Sequence, residues 1–321
     1  MLQIKNVSFA YSGETGQTGG VRDITLTIPQ GQFVVLCGES GCGKTTLTRL
    51  LNELIPHFYE GTLTGCVELD GQNISAQPLY DTARQVGSVF QNPRSQFFNV
   101  DTTSEITFGH DNLGRPEGAI RAGLARVTKA LHLEPLLDRS IFRLSGGEKQ
   151  KIACAGVSMT DPDVVVLDEL SSNPDVKAIL MLRQTLADWK AQGKTIAISE
   201  HRLYYLRGLA DRFIYMKDGG IAREFTADEF AALTEADRAA LGLRTYAPQT
   251  LTAAERPAQS GDTLELQDFR FAYKNSAETL HIDGAALPAG QVVGLIGDNG
   301  AGKSTFVRCL CGLEDCGTAR R

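Results

Sequence analysis

Gly38-Glu39-Ser40-Gly41-Cys42-Gly43-Lys44-Thr45 fits G-x-x-x-x-G-K-[ST], and Gly297-Asp298-Asn299-Gly300-Ala301-Gly302-Lys303-Ser304 fits it again near the end of a 321-residue chain. Each copy follows an apolar, strand-like run (Phe33 to Cys37, Val292 to Ile296) and leads into a helix-like one, with Thr46 and Thr305 the first residues past each motif and further candidates for nucleotide contact. In that context the glycines let backbone N–H groups wrap phosphate oxygens at a helix N-terminus, so both segments are read as nucleotide-binding loops. Only 17 residues follow Ser304. That remainder is too short for a nucleotide-binding domain, which predicts one complete copy and one cut short.

The repeat is larger than the loop. Leu2-Gln-Ile-Lys-Asn-Val-Ser-Phe-Ala-Tyr11 matches Leu264-Glu-Leu-Gln-Asp-Phe-Arg-Phe-Ala-Tyr273, both with strand-like alternation, at a displacement of 262, whereas the loops are displaced by 259. The three-residue difference fits the Gly/Thr-rich turn segment 12–20. This predicts a complete domain over 1–226, or one that includes the following helix, a helix (227–243) and linker within 227–262, and a second, partial copy over 263–321. Within the first copy, strands at 21–28, 32–37, 66–69, 86–90, 164–167, 195–199 and 212–216 interleave with helices at 44–54, 117–132, 147–159 and 176–192. That alternation argues an α/β sheet, partly parallel, with an antiparallel portion near the N-terminus.

Composition is that of a globular α/β chain, with 42% hydrophobic residues. A net charge of -6 leaves no electrostatic footprint for nucleic acid. No apolar run approaches the length of a membrane span, and the first residues lack the apolar core of a signal peptide, so the chain is expected in the cytoplasm. Seven scattered cysteines fit free thiols in a reducing compartment. Cys309-x-Cys311-x4-Cys316 is read as helix packing rather than a metal site, since no histidine or fourth thiolate is near. Cys42, beside Lys44 at a helix N-terminus, is read either as an activated thiol or as a space-filling loop residue.

A phosphate loop alone does not choose among kinases, GTPases and transport ATPases. Val164-Val-Val-Leu-Asp168-Glu169 narrows the choice: an apolar strand ending in two carboxylates, the first suited to Mg²⁺ and the second to the attacking water. Upstream, Leu144-Ser145-Gly146-Gly147-Glu148-Lys149-Gln150 opens a helix; a capping box explains Ser145 and Glu148 but needs no glycine pair. These residues resemble the ABC-type ATPase family, with Leu144 to Gln150 similar to its signature motif.

The resemblance implies an ABC-type P-loop NTPase fold, with a mixed, largely parallel core sheet, an antiparallel β portion and a helical subdomain, followed by the N-terminal part of a second copy. It also implies ATP and Mg²⁺ as ligands. Lys44 would contact the β and γ phosphates. Thr45, Asp168 and Gln91 would serve the metal, with Ser304 in the second loop. Glu169 would act as general base or water-positioning group, His201 as the switch histidine and Gln91 as the glutamine sensing Mg²⁺ and γ phosphate. Tyr11 would stack on adenine, with Tyr273 its counterpart, and Ser145, Gly146 and Gly147 would close a nucleotide held on another domain. Ser171-Ser-Asn173-Pro174-Asp175 resembles the D-loop, with proline where leucine is usual; that position tolerates it at a helix start. By the same resemblance two domains pack head to tail, so the partial copy cannot complete a site alone.

Asn92-Pro93-Arg94-Ser95-Gln96-Phe97-Phe98 sets a turn and aromatic residues beside Gln91. With Ser199-Glu200-His201-Arg202-Leu203, it resembles the ATPase subunits of energy-coupling-factor importers. That implies a transmembrane coupling protein, a membrane protein capturing a vitamin or metal ion, a second ABC domain in a homo- or heterodimer, and attachment at the inner face of the membrane. Two other readings remain open at this level: a soluble tandem protein acting on ribosomes or DNA, and a truncated product that binds nucleotide without turnover. Phe97 and Phe98 are read either as a docking patch or as core residues.

Overall fold

The computed structural model describes residues 1–13, 16–171, 176–247, 263–273, 279–297, 300–314 and 318–320. Residues 172–175 of the D-loop-like string, Asp298, Asn299, Cys316 and the linker from 248 to 262 lie outside the described residues. The chain divides into two compact units, Met1–Gln249 and Thr250–Arg321.

In the first unit β1 (Leu2–Gly13), β2 (Gly16–Ile28), β4 (Gly61–Leu69) and β5 (Gln72–Asn73) form an antiparallel sheet in the order β2-β1-β4-β5. A second sheet runs β10-β9-β3-β8-β7-β6, from β3 (Phe33–Cys37), β6 (Val86–Val89), β7 (Val164–Asp168), β8 (Thr195–Ser199), β9 (Arg212–Lys217) and β10 (Gly220–Thr226). Its pairings are parallel except at the β9/β10 edge. Strands covered on both faces read as unbroken apolar runs, as β3 and β7 do. Alternate residues serve opposite faces. Phe33, Val35, Val165 and Leu167 pack with Leu182, Leu186 and Trp189, while Val34, Leu36 and Val166 pack with Leu47, Leu50 and Leu51 of the phosphate-loop helix Lys44–Leu51. A separate helical core forms where Thr102–Asn112, Glu117–Leu131 and Gly146–Thr160 bring together Ile106, Val127, Leu131, Ile152 and Met159.

Two expectations change. The helix read at 227–243 is two short helices, Ala227–Ala232 and Glu235–Ala240, each opened by a capping box, Thr226 with Glu229 and Thr234 with Asp237. A second N-cap threonine interrupts what periodicity reads as one helix. These helices also pack on the first unit, which extends to Gln249. Phe230 stacks on Phe213 at 3.9 Å between ring centroids and both lie in the core.

The second change lies in the second unit. There β11 (Thr263–Phe271), β12 (Leu280–Pro288) and β13 (Thr318–Arg320) make an antiparallel sheet over Leu266, Phe269, Leu280, Phe306 and Cys309. The run Val292 to Ile296 is not in a strand, and Val292 is 97% and Ile296 92% exposed. Its counterpart β3 is held between β8 and β9. Among the described residues of the second unit no strand pairs with 292–296, and an apolar run without ladder partners has no reason to stay extended.

Glu53, just past the phosphate-loop helix, is fully buried with φ +60, bonded by the Ser75 hydroxyl at 3.0 Å and 3.8 Å from the His57 ring. Burial raises its pKa from 4.5 to about 7, against the lowering effect of Ser75. The folded state therefore binds this proton more tightly than the unfolded state. The stabilising contribution is present below pH 4.5 and is lost as pH rises toward 7. Glu53→Gln is expected to gain stability relative to wild type between about pH 5 and pH 8. A difference in unfolding free energy that stays flat across that range refutes the burial of a titrating carboxyl.

Candidate nucleotide site

The phosphate loop turns out of β3 through Gly38 (φ +146), Gly41 (+81) and Gly43 (+103). A Cβ on Gly38 would lie 2.3 Å from the Met216 carbonyl, so the loop lies directly against β9 and only glycine fits. Gly43 sits in the left-handed region at the helix N-cap, and the first N–H groups of Lys44–Leu51 are left facing the loop, the arrangement that attracts an anion. Lys44 Nζ donates to the carbonyls of Gly38 and Glu39 at 3.1 and 2.9 Å. Cys42 is buried, with Sγ 3.8 Å from Lys44 Nζ.

Opposite the loop, the end of β7 delivers the acidic pair, between its parallel neighbours β6 and β8. Thr45 Oγ1 donates to Asp168 Oδ1 at 3.3 Å, tying the loop helix to the end of β7. Burial raises the pKa of Asp168, opposed by the Ser199 and Thr45 hydroxyls. Next in the chain, Glu169 has φ +47 and donates its N–H to the Ser199 carbonyl, which turns its side chain out of the sheet. Its two oxygens are both engaged: Gln91 Nε2 donates to one at 2.9 Å and His201 Nε2 lies 3.0 Å from the other. The His201 bond chiefly holds the Glu169 carboxyl below its usual range, against burial, with the charges of His201, Lys44 and Arg244 assisting. Gln91, His201, Glu169, Asp168, Thr45 and Lys44, drawn from four separate chain segments, are thus gathered beside the phosphate loop.

Tyr11 lies against Phe9 and Tyr59 edge-to-face, and its hydroxyl bonds Thr46 Oγ1 at 3.2 Å and accepts from Arg49 Nη1 at 2.9 Å. Arg49 also covers the Tyr59 ring at 3.9 Å. Arg49 and Tyr59 were not read from sequence; their spacing carries no motif. The second loop repeats this in its own unit, with Tyr273 and Thr305 hydroxyls 3.4 Å apart, Lys303 Nζ donating to the Gly297 carbonyl at 2.8 Å, and Gly302 capping the helix Lys303–Leu310 that carries Ser304. Gly297, Gly300 and Gly302 keep positive φ, and Ala301 lies between the last two.

Ser145, Gly146 and Gly147 lie at the N-terminus of Gly146–Thr160, where Ser145 Oγ and Glu148 form a reciprocal capping box. They line neither of the two cavities beside the phosphate loop. The other residue missed at sequence level is Glu200. Buried between the strand β8 and His201, its carboxylate accepts from Ser171 N and Oγ (2.7 Å each), Tyr205 Oη (2.7 Å), His201 N (2.9 Å) and Arg202 N (3.2 Å). The aromatic pair beyond Gln91 splits: Phe97 packs into the core, while Phe98 is 74% exposed and stacks on Phe108 at 5.0 Å. Leu54, Phe90 and Phe98 line both of two adjoining cavities there.

A family model described as ABC transporter matches residues 21–172 and 281–320. Two Treponema denticola proteins named as candidate ABC transporter ATP-binding proteins are each 42% identical across 98% of the chain, which spans 65% of their length, under two thirds. The structure of cbiO1 from Clostridium perfringens, described as part of the ABC transporter complex cbiONQ, is 25% identical with TM-score 0.63 over 74% of this chain and 91% of that one. The dimeric cassette MJ0796 bound to ADP and Pi, 23% identical, superposes with TM-score 0.63 over 71% of this chain and 99% of its own, a likeness of fold.

Proposed function

The chain belongs to the ABC transporter family, and from that premise we propose that it is the ATP-binding and ATP-hydrolysing part of an importer of the energy-coupling-factor type. The observation that carries this reading is the carboxylate of Glu169 held at once by Gln91 and His201 beside the phosphate loop. A carboxylate so fixed can orient a water and accept its proton. Lys44 and the loop N–H groups would hold the phosphates, and Tyr11 would stack on the base once its hydroxyl releases Arg49. Thr45 and Asp168, already in contact, would hold Mg²⁺ together with Gln91; Ser304 has the matching place in the second loop. When bound, that ion would neutralise charge developing on the phosphate oxygens.

Because Ser145 to Gly147 line neither cavity beside the loop of their own unit, the closed site would use the signature of a second ABC domain, in the same protein or in another chain. Phe98 and the grooves around it suit a transmembrane coupling protein, and a small membrane protein would capture the vitamin or metal-ion cargo, placing the ATPase at the inner face of the membrane. No helix among the described residues is long and apolar enough to cross a membrane. The test is ATP turnover with and without Mg²⁺, and recovery of the chain with membrane partners. Mg²⁺-dependent hydrolysis with membrane co-purification is expected; co-sedimentation with ribosomes, or no turnover in the partner complex, sinks the reading.

A further inference from the structure

The segment that closes the first unit brings a basic side chain to the phosphate loop. Leu241 and Leu243 pack against the core, and Tyr246 is buried edge-on to Phe213 and Phe230, with ring centroids 5.8 and 5.2 Å away. Buried Arg238 fixes the preceding helix by donating to the carbonyls of Phe230 and Ala231 at 2.9 and 3.3 Å. Between these anchors the chain passes Glu39 at Gly242, whose φ is +65 and whose Cβ, if it had one, would lie 2.3 Å from Glu39 Oε1. The positive φ favours glycine there, and a Cβ would push the Glu39 side chain aside.

The result is that Arg244 lines the cavity of about 450 Å³ walled by Ser40 of the phosphate loop, Glu169 and His201. Arg202 lines it too. Arg244 is exposed and makes no hydrogen bond or ion pair with any described residue, although its charge reaches Glu169. Of the other two carboxylates of that wall, Glu200 is already occupied by five donors and Glu39 lies against Gly242. A guanidinium offers phosphate oxygens a planar pair of donors that an ammonium cannot.

We propose that Arg244 is a second cation for the terminal phosphate of the bound nucleotide, supplied in cis by the end of the first unit and aimed by Gly242. The proposal rests on the ATP reading above. It assigns the γ phosphate two cations of different geometry: Lys44 inside the loop and Arg244 across the cavity. Because only a triphosphate carries a γ phosphate, Arg244 should distinguish tri- from diphosphate, whereas Lys44 serves both.

The test is the affinity of the full chain for AMP-PNP and for ADP, each with Mg²⁺, in a Lys303→Ala background so that the first loop reports alone. Arg244→Ala is expected to weaken AMP-PNP about tenfold or more and leave ADP within about twofold. Arg244→Lys should recover only part of the loss, and Gly242→Ala, which displaces the segment, should reproduce it. An AMP-PNP to ADP ratio unchanged in Arg244→Ala overturns the proposal. A wild-type chain that binds both nucleotides but never hydrolyses ATP, even with its membrane partners, sinks the functional reading while the ratio still decides Arg244. Binding of neither nucleotide overturns both.

Discussion

Glu169→Gln is expected to leave ATP binding within about twofold of wild type and to lower hydrolysis by about 10²- to 10⁴-fold, the range a positioned acid–base group contributes. The amide keeps one acceptor oxygen for either Gln91 or His201, so the surrounding hydrogen bonds are half retained and the fold is not stressed. What it loses is the second acceptor and the capacity to take a proton from water. Because His201 chiefly holds this carboxyl low, Glu169 stays ionised well into the acid range. Turnover limited by its protonation would therefore fall only below the ordinary carboxylate range. Rate assays on purified Glu169→Gln decide the matter, and turnover within threefold of wild type refutes the assignment.

The second large effect concerns stability. Glu200→Ala is expected to cost about 3 kcal/mol, since hydrogen bonds to charged groups are worth about 1.5–3 kcal/mol each and removal of this one side chain strands several buried donors together. The donors include Ser171, at the start of the D-loop-like string, and His201, proposed above to hold Glu169, so hydrolysis should fall along with stability. Trp189, the only tryptophan and 98% buried beside the core, reports unfolding of the first unit in urea. Glu200→Gln should recover less than half of the loss, because its NH₂ faces N–H groups. A cost below about 1 kcal/mol would show that water replaces the carboxylate at no penalty.

Much of the first unit is legible in sequence because its signals are local. Gly38 to Thr45 names its own backbone, and β3 and β7 declare burial on both faces through unbroken apolar runs. Asp168 and Glu169 follow from the end of such a strand. Glu200 does not, because its partners include Ser171, 29 residues away. Arg244 is invisible for a similar reason: nothing near it in sequence says that Phe230 and Tyr246 will close on Phe213. The helix Thr102–Asn112 is absent from the sequence reading because its Thr, Ser and Gly content gives little periodic contrast. The run 292–296 shows the opposite error. Apolar composition signals that a strand can form, but pairing requires neighbours that the same segment does not carry.

That run also bears on how the chain behaves in a tube. Val292, Val293, Leu295 and Ile296, all at least 45% exposed, form a short sticky stretch without charge. Contiguous exposed apolar surface of this kind drives self-association. Such association is second order in protein, so dilute preparations would remain dispersed where concentrated ones cloud, and added salt would hasten precipitation rather than relieve it.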